Sequence, residues 1–483
     1  MRLKSVRSFW RVPIFAAVML CFLHAAPSVA QGQSLPTPDN WKQHVTPGGF
    51  AGAYQRGSAL GGVADVNLTT RYRLIWNDFS SDQNLYQYLR VNLSEVSLGK
   101  GTVSAHLFAR AAGDIDGDRD QQGNDSQYYI FRDALDAEDE DVRIYTGNIV
   151  LNKVLPKTDL TLGRTHASHL DVFQIDGADA TVALTDRISA YAFGGAPVSY
   201  FFDSGSDRLF GGGVSAKLFN KTVLRLEYQS IDVDDEDDQI VAVRLDQAIS
   251  LGGFYGEYRN IDSSNLVEVG GNLKLAATKT VVSFTYRQLF DQVEGDDAFG
   301  FPVNPLTISL LPYGEHQLYS LRVDQQILPN VHGRAEVELK NADDDQFVFD
   351  NRDYVRYRLA FDFDGIPTSE TFFSLFGEYW DVDSVVRGND NGRLQLGARV
   401  SHSFTKQIDV WAGTGYEQFK FDFDINERKE SVRTLYVGGQ WTPAENIALL
   451  VDLTAENSDV FDDLNTSEFE KNYIAEMWLN LVF

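Results

Sequence analysis

From Val63 to the carboxyl end the chain alternates apolar and polar side chains with a period of two, the pattern of a strand whose two faces meet different surroundings. Leu224, Leu226 and Tyr228 oppose Arg225 and Glu227, and Val241, Val243 and Leu245 oppose Arg244 and Asp246. Val355, Tyr357, Leu359, Phe361 and Phe363 oppose Arg356, Arg358 and Asp362. Segments of this kind predict strands at 63–76, 85–98, 102–111, 141–151, 157–165, 178–185, 187–194, 210–218, 221–230, 238–247 and 250–260. Eleven more follow at 264–275, 278–290, 315–326, 330–340, 352–364, 369–383, 392–405, 407–420, 430–442, 444–457 and 470–483.

The connectors between these twenty-two segments are of two kinds that take turns along the chain. Gly99 to Gly101, Asn152 to Pro156, Asp186, Phe219 to Asn220, Ala248 to Ile249 and their counterparts as far as Pro443 are short. Those between them tend to be longer and acidic: Asp114 to Glu140, Asp232 to Asp237, Asp291 to Gly314, Asn341 to Asn351, Asp422 to Lys429 and Ser458 to Glu468. Tight turns at one end and long loops at the other are expected of an antiparallel barrel that crosses a membrane. The expected fold is therefore all-β, a transmembrane antiparallel β-barrel over 63–483 with about 22 strands. The range reaches down to 18, because 157–165 and 178–194 alternate weakly. A charge facing lipid near mid-bilayer costs about 2–4 kcal/mol, so the charged sets are expected to face the lumen.

The last segment carries the alternation furthest. Tyr473, Ala475, Met477, Leu479, Leu481 and Phe483 share one face, while Ile474, Glu476, Trp478, Asn480 and Val482 share the other. This ending resembles the closing strand of Gram-negative outer-membrane β-barrels of the porin-like kind. The resemblance implies an outer-membrane location, contact with lipid and with the barrel-assembly machinery, and a role for Tyr473, Met477, Leu479, Leu481 and Phe483 as the assembly signal.

Residues 1–30 read as a secretory signal peptide: Arg2, Lys4, Arg7 and Arg11 precede an apolar run over 12–26, and Ser28-Val29-Ala30 fits a small-x-small cleavage site. Residues 31–62, with Pro36, Pro38 and Pro47, form an irregular lead-in, periplasmic or lumenal, too short for a separate plug domain. Cleavage would remove Cys21, the sole cysteine, and four positive charges, taking the formal charge from −27 to −31. The mature chain would hold no thiol and no C-x-x-C-H haem site, so no cofactor is expected in it. So acidic a chain argues against nucleic-acid binding, and no later apolar run is long enough for a transmembrane helix.

The candidate pore-lining set is Arg225, Arg244, Arg322, Arg334, Arg356 and Arg358 with Glu227, Asp246, Asp324, Glu336 and Glu338; Glu257 and Glu378 occupy inward positions in the same alternation. Such rows either select permeants by charge or pair to brace the wall. Arg322, Arg334, Arg356 and Arg358, on three consecutive strands, are the best candidate for a functional basic strip. In the loop Asp291–Gly314 the second half, with Phe299, Phe301, Pro302, Leu311, Pro312 and Tyr313, is apolar; it is a candidate constriction, a partner contact or a self-packed cap. Asp114, Asp116, Asp118 and Asp120 place oxygen ligands at alternate positions, a weak calcium pattern against the alternative of a solvated extracellular loop. His166-Ala-Ser-His169-Leu-Asp171 has the composition of a metal or hydrolytic site but sits at a strand end where such residues are ordinary.

No nucleophile and base converge in this reading, so an enzyme is not expected. The favoured function is a porin or channel through which small hydrophilic or charged solutes diffuse. The alternative is a barrel that sheathes a periplasmic or extracellular partner protein, such as a multihaem cytochrome of an electron-transfer conduit. It arises because so wide a lumen is ordinarily plugged.

Overall fold

The computed structural model describes residues 56–59, 62–77, 81–115, 141–170, 172–198, 207–233, 236–261, 264–290, 315–342, 353–383, 390–422, 427–462 and 468–483. The expected signal peptide, most of the lead-in, the loop residues Phe299 to Tyr313, and Asp116, Asp118 and Asp120 lie outside them. The strands are β1 (Arg56–Ala59), β2 (Gly62–Asn77), β3 (Ser81–Leu98), β4 (Gly101–Asp114), β5 (Asp141–Leu155) and β6 (Thr158–Ser168). Next come β7 (Val172–Ala183), β8 (Ile188–Pro197), β9 (Arg208–Phe219), β10 (Thr222–Val233), β11 (Glu236–Ile249) and β12 (Gly252–Ile261). They continue as β13 (Ser264–Leu275), β14 (Thr280–Leu289), β15 (His316–Leu328), β16 (Val331–Ala342), β17 (Tyr354–Asp364) and β18 (Thr371–Asp383). The last five are β19 (Asp390–Thr405), β20 (Ile408–Asp422), β21 (Glu427–Ala444), β22 (Ile447–Asp462) and β23 (Glu468–Val482).

From β2 onward each strand pairs antiparallel with the one before it, and β23 returns to β2 in an unbroken register from Asn67↔Val482 to Asn77↔Asn472. The terminal Phe483 extends this seam, its amide donating to the Val66 carbonyl at 2.8 Å while the Val66 amide donates back at 3.2 Å. The result is a closed wall of 22 strands. In hydrocarbon an unpaired N–H or C=O costs several kcal/mol, and closure removes the two edges an open sheet would expose. The short β1 pairs with the beginning of β2, beyond the reach of β23, and adds no strand to the wall; among the described residues of the expected irregular lead-in it forms a regular piece.

Each predicted segment corresponds to one wall strand, and the weakly alternating stretches are the strands β6, β7 and β8. The differences lie at the long-loop end. Within Asp232 to Asp237, read as a loop, the described residues are instead ladder, with Asp232↔Asp237 and Val233↔Glu236 paired. Likewise β21 starts at Glu427 and β22 runs to Asp462. Alternation stops where both faces meet water, whereas backbone pairing continues past that point, so the pattern marks the hydrocarbon boundary rather than the strand end. β7 begins at Val172, six residues earlier than expected, for a reason given below.

The two faces of the wall differ as the pattern requires. Leu226, Val241, Leu245, Leu435, Leu453 and Met477 stand exposed on the convex face, whereas Glu227, Gln229, Glu257 and Glu378 are buried on the concave one. Inside the seam, the Arg71 guanidinium lies 4.6 Å from the Trp478 ring and 5.2 Å from the Tyr86 ring and pairs with Glu476. Thr69 donates to Asn480 at 2.9 Å beside them. These contacts join residues from the two ends of the barrel sequence. Cation–π contacts of this kind are worth about 0.5–2 kcal/mol each.

Placing Arg at Leu453, exposed mid-strand on the convex face, is expected to destabilise the barrel in lipid by about 2–4 kcal/mol. Arg at the neighbouring Thr454, on the concave face, should cost far less. Urea unfolding in phosphatidylcholine vesicles measures both; equal losses would contradict the facing assignment.

Candidate functional site

Two features of the concave face set what the barrel can do. The first is a row of ion pairs across β15–β20. Arg322 donates to both oxygens of Asp324 at 2.7 and 3.0 Å, and Arg334 joins the same carboxylate at 2.8 Å. Arg356 lies between Glu338 (3.5 Å) and Glu378 (3.3 Å), while Arg358 pairs with Glu378 and approaches Glu336 at 3.6 Å. Arg393 bonds Glu417 at 2.5 Å. A second row crosses β10–β12: Arg225 to Asp246 (3.5 Å), Arg244 to Asp246 and Glu257 (3.0 Å each), and Arg259 to Glu257.

All eleven pore-lining candidates thus lie on the concave face, and the structure brings all but Glu227 into these two rows. The four arginines read as a basic strip are each paired with a carboxylate, so no uncompensated strip exists there. Glu257 and Glu378 are the most buried acceptors of the two rows, at 4% and 3% side-chain exposure. Two arginines outside the candidate set differ. Among the described residues neither Arg90 nor Arg399 has a carboxylate in ion-pair range; they rest over Phe108 (5.0 Å) and Trp411 (5.9 Å).

The second feature is a hairpin folded into the lumen, built from the upper parts of β6 and β7. His169, in the turn after β6, bonds Asp179 at 2.9 Å, and the Leu170 amide donates to Glu227 of β10 at 3.1 Å. Asp179 lies seven residues along β7 from its first residue, a distance of about 23 Å if the strand were straight, which no pair of side chains spans. The hairpin therefore doubles back across the inner face of β7–β10. There His169 stacks on Tyr191 with ring centres 3.8 Å apart, and Phe173 stacks on Phe193 at 6.3 Å. Ala167, Phe173 and Ile175 are buried against Tyr191, Phe193 and Leu209. Tyr191 donates to Glu227 at 2.5 Å, so this one carboxylate holds both the wall and the hairpin turn.

The fold line is a row of glycines, Gly163↔Gly177↔Gly195, adjacent in register on three strands. Gly163 has φ of +109°, a region open chiefly to glycine. A Cβ at Gly177 would lie 2.0 Å from the Gly194 carbonyl oxygen, so the backbones meet where side chains would keep them apart. The flanking ladder ends at the same level: β5 pairs with β6 only as far as Gly147↔Arg164.

His166 and His169 do not converge. His166 is exposed on the face of β6 opposite the buried Thr165 and Ala167, His169 is engaged with Asp179, and Asp171 lies outside the described residues. Of the calcium candidates only Asp114, at the end of β4, is described; no group of three or more acidic, His or Cys residues able to hold a metal occurs among the described residues.

No protein-family model matches the chain, and no curated protein matches it in sequence. Solved structures similar to it include OpdK of Pseudomonas aeruginosa with vanillate, at 10% identity over 87% of this chain and 99% of that one, TM-score 0.42. Others are a variant of OccD1 (OprD), at 9% identity over 89% and 98% with TM-score 0.44, and Pseudomonas aeruginosa OccD3 (OpdP), at 12% over 90% and 93% with TM-score 0.42. Likenesses this loose decide neither solute nor mechanism.

Glu227→Ala removes the shared acceptor of Leu170, Tyr191 and Gln229, at a cost of about 1–3 kcal/mol for the donors left unsatisfied in a buried site. The hairpin should loosen, and single-channel conductance should rise and become noisier while heat-modifiable migration on gels is retained. Unchanged conductance would show that the hairpin does not narrow the path.

Proposed function

We propose that the protein is an outer-membrane channel through which small hydrophilic or charged solutes diffuse. The observation that carries this reading is the wall itself, closed through β2 and β23, apolar outside, and lined inside by rows of charge that satisfy one another. A charged concave face is tolerable only against water, and paired rows brace it without blocking it. The inward hairpin narrows what twenty-two strands would otherwise leave as a wide hole. Tyr473, Met477, Leu479, Leu481 and Phe483 would serve as the strand presented to the barrel-assembly machinery. The sheath alternative gains nothing from the buried carboxylates, which find their counter-charges within the chain.

Because the arginines of the two rows are neutralised locally, selectivity in this reading falls to charge outside the rows, above all the ten acidic and two basic residues of the connector from Asp114 to Glu140. Potentials of that origin are screened over about 10 Å at 0.1 M salt and about 3 Å at 1 M. Purified protein in planar bilayers is therefore expected to show stepwise conductance with a cation preference at low salt that fades toward 1 M. Absence of conductance, or a preference independent of salt, would contradict the proposal.

A further inference from the structure

The convex face carries a feature that neither the lumen nor the closure of the wall uses. At the long-loop end of β20, β21 and β23 the outward side chains change from apolar to basic. On β21 the outward positions run Trp441, Gly439, Val437 and Leu435, and the next is Arg433, followed by Ser431 and Lys429. Register places Tyr416 and Asn457 beside Arg433, Lys471 beyond Asn457, and Lys420 beside Lys429. Lys420, Lys429, Arg433 and Lys471 therefore share one patch of wall. Arg433 stands about 13 Å from Lys429 along the strand and about 10 Å from Lys471 across it. Lys429, Arg433 and Lys471 are exposed, Arg433 with 62% of its side chain accessible.

The strand sets the height of the patch. Arg433 lies eight residues above Trp441, about 26 Å along β21 and about 20 Å along the membrane normal at the usual tilt. The apolar band of such a barrel is about 25 Å tall, with aromatic residues at its borders. Exposed Trp441 marks the lower border on this strand. Trp76 and Tyr473, paired in register and stacked at 5.3 Å, mark the upper one, and Lys471 is the next outward residue above Tyr473. The four cations thus sit where hydrocarbon gives way to headgroups.

Their sign is out of keeping with a chain of formal charge −27. Elsewhere at this end the described convex positions include Gln83, Gln239, Asn260, Gln288, Gln317 and Asp381, and the further cation there, Arg208, faces Asp232 in register. Beside the patch, Asp459 comes within 3.9 Å of Arg433. An exposed pair at that distance is weak and leaves the guanidinium fork able to take a second acceptor. Like charges gathered this closely repel one another unless an anion lies among them.

We propose that this patch is a docking site for the phosphates of a phosphorylated glycolipid of the outer leaflet. Its phosphate oxygens accept from Arg433 and the three lysines, and its acyl chains lie along the apolar band beneath, over exposed Leu435 and Leu453. The lysine stems run along the wall and hold their ammonium groups at headgroup level. A lipid held here fastens β20–β23, which lead into the closing seam, at a fixed depth in the membrane. The inference rests on the outer-membrane placement proposed above and is independent of conduction.

The test uses the full chain purified from membranes and reconstituted in phosphatidylcholine vesicles that contain, in both leaflets, an acylated glucosamine disaccharide bearing two phosphates or the same lipid without them. Native mass spectrometry over a titration counts the glycolipid retained per barrel. The phosphorylated lipid is expected to be retained at about one per barrel and the dephosphorylated one to be lost. Lys429→Gln, Arg433→Gln and Lys471→Gln combined should weaken retention at least about tenfold, whereas Arg208→Gln should leave it unchanged. All four side chains are exposed, so heat-modifiable migration and single-channel conductance should match the unaltered protein. Equal retention of the two lipids by the unaltered protein, or undiminished retention by the triple variant, overturns the site. The first comparison needs no substitution, so it decides even where the variant does not fold. Phosphate-dependent retention without conductance keeps the site and removes the channel; conductance without such retention does the reverse.

Discussion

Hydrocarbon offers no hydrogen bonds, and that constraint shapes this molecule from end to end. It obliges the strands to pair with both neighbours and the last strand to find the first, which β23 does along eleven consecutive residues of β2 and again through Phe483. It also explains how the break in the ladder beside β5 is finished. Where the ladder between β5 and β6 stops, the freed carbonyls of Ile144 and Tyr145 are met by Arg164 and Gln174, so the wall gives up strand pairing there without leaving those acceptors bare.

Within the closed wall, water changes what the opposite face can carry. Carboxylates as buried as Glu257 and Glu378 persist because each receives two or more arginine contacts, and breaking such a group by removing one partner typically costs about 3–5 kcal/mol. The rows are thus structural first, stiffening β10–β12 and β15–β20. Arg90 and Arg399, held over aromatic rings, keep charge that the wall itself does not consume.

Much of this architecture is legible in the chain because alternation reports a difference in solvent, and every wall strand between lipid and lumen experiences that difference. The facing of Arg356, Arg358 and Leu226 follows directly from it. The same logic shows why the hairpin was not legible. Beyond Gly163 and Gly177 the two strands leave the wall, so over 164–176 their faces no longer separate lipid from water, and 166–177 accordingly falls between two expected strands. The fold line is spread over three strands, and its contacts join His169 to Asp179 and Leu170 to Glu227, ten and fifty-seven residues apart. The composition of 166–171 drew attention as a metal or hydrolytic site; its residues instead form a turn whose histidine and backbone amide clamp it to the inner wall.

The position of that turn is the most direct test, because the narrowing of the lumen depends on it. Spin labels at Ser168→Cys, at the hairpin tip, and Asp186→Cys, in the turn between β7 and β8, report it by pulsed electron–electron resonance in lipid. A hairpin standing in the wall would place them about 40 Å apart, twelve residues of extended strand. The folded hairpin predicts a distance below about 25 Å. A single population near the longer distance would contradict the account.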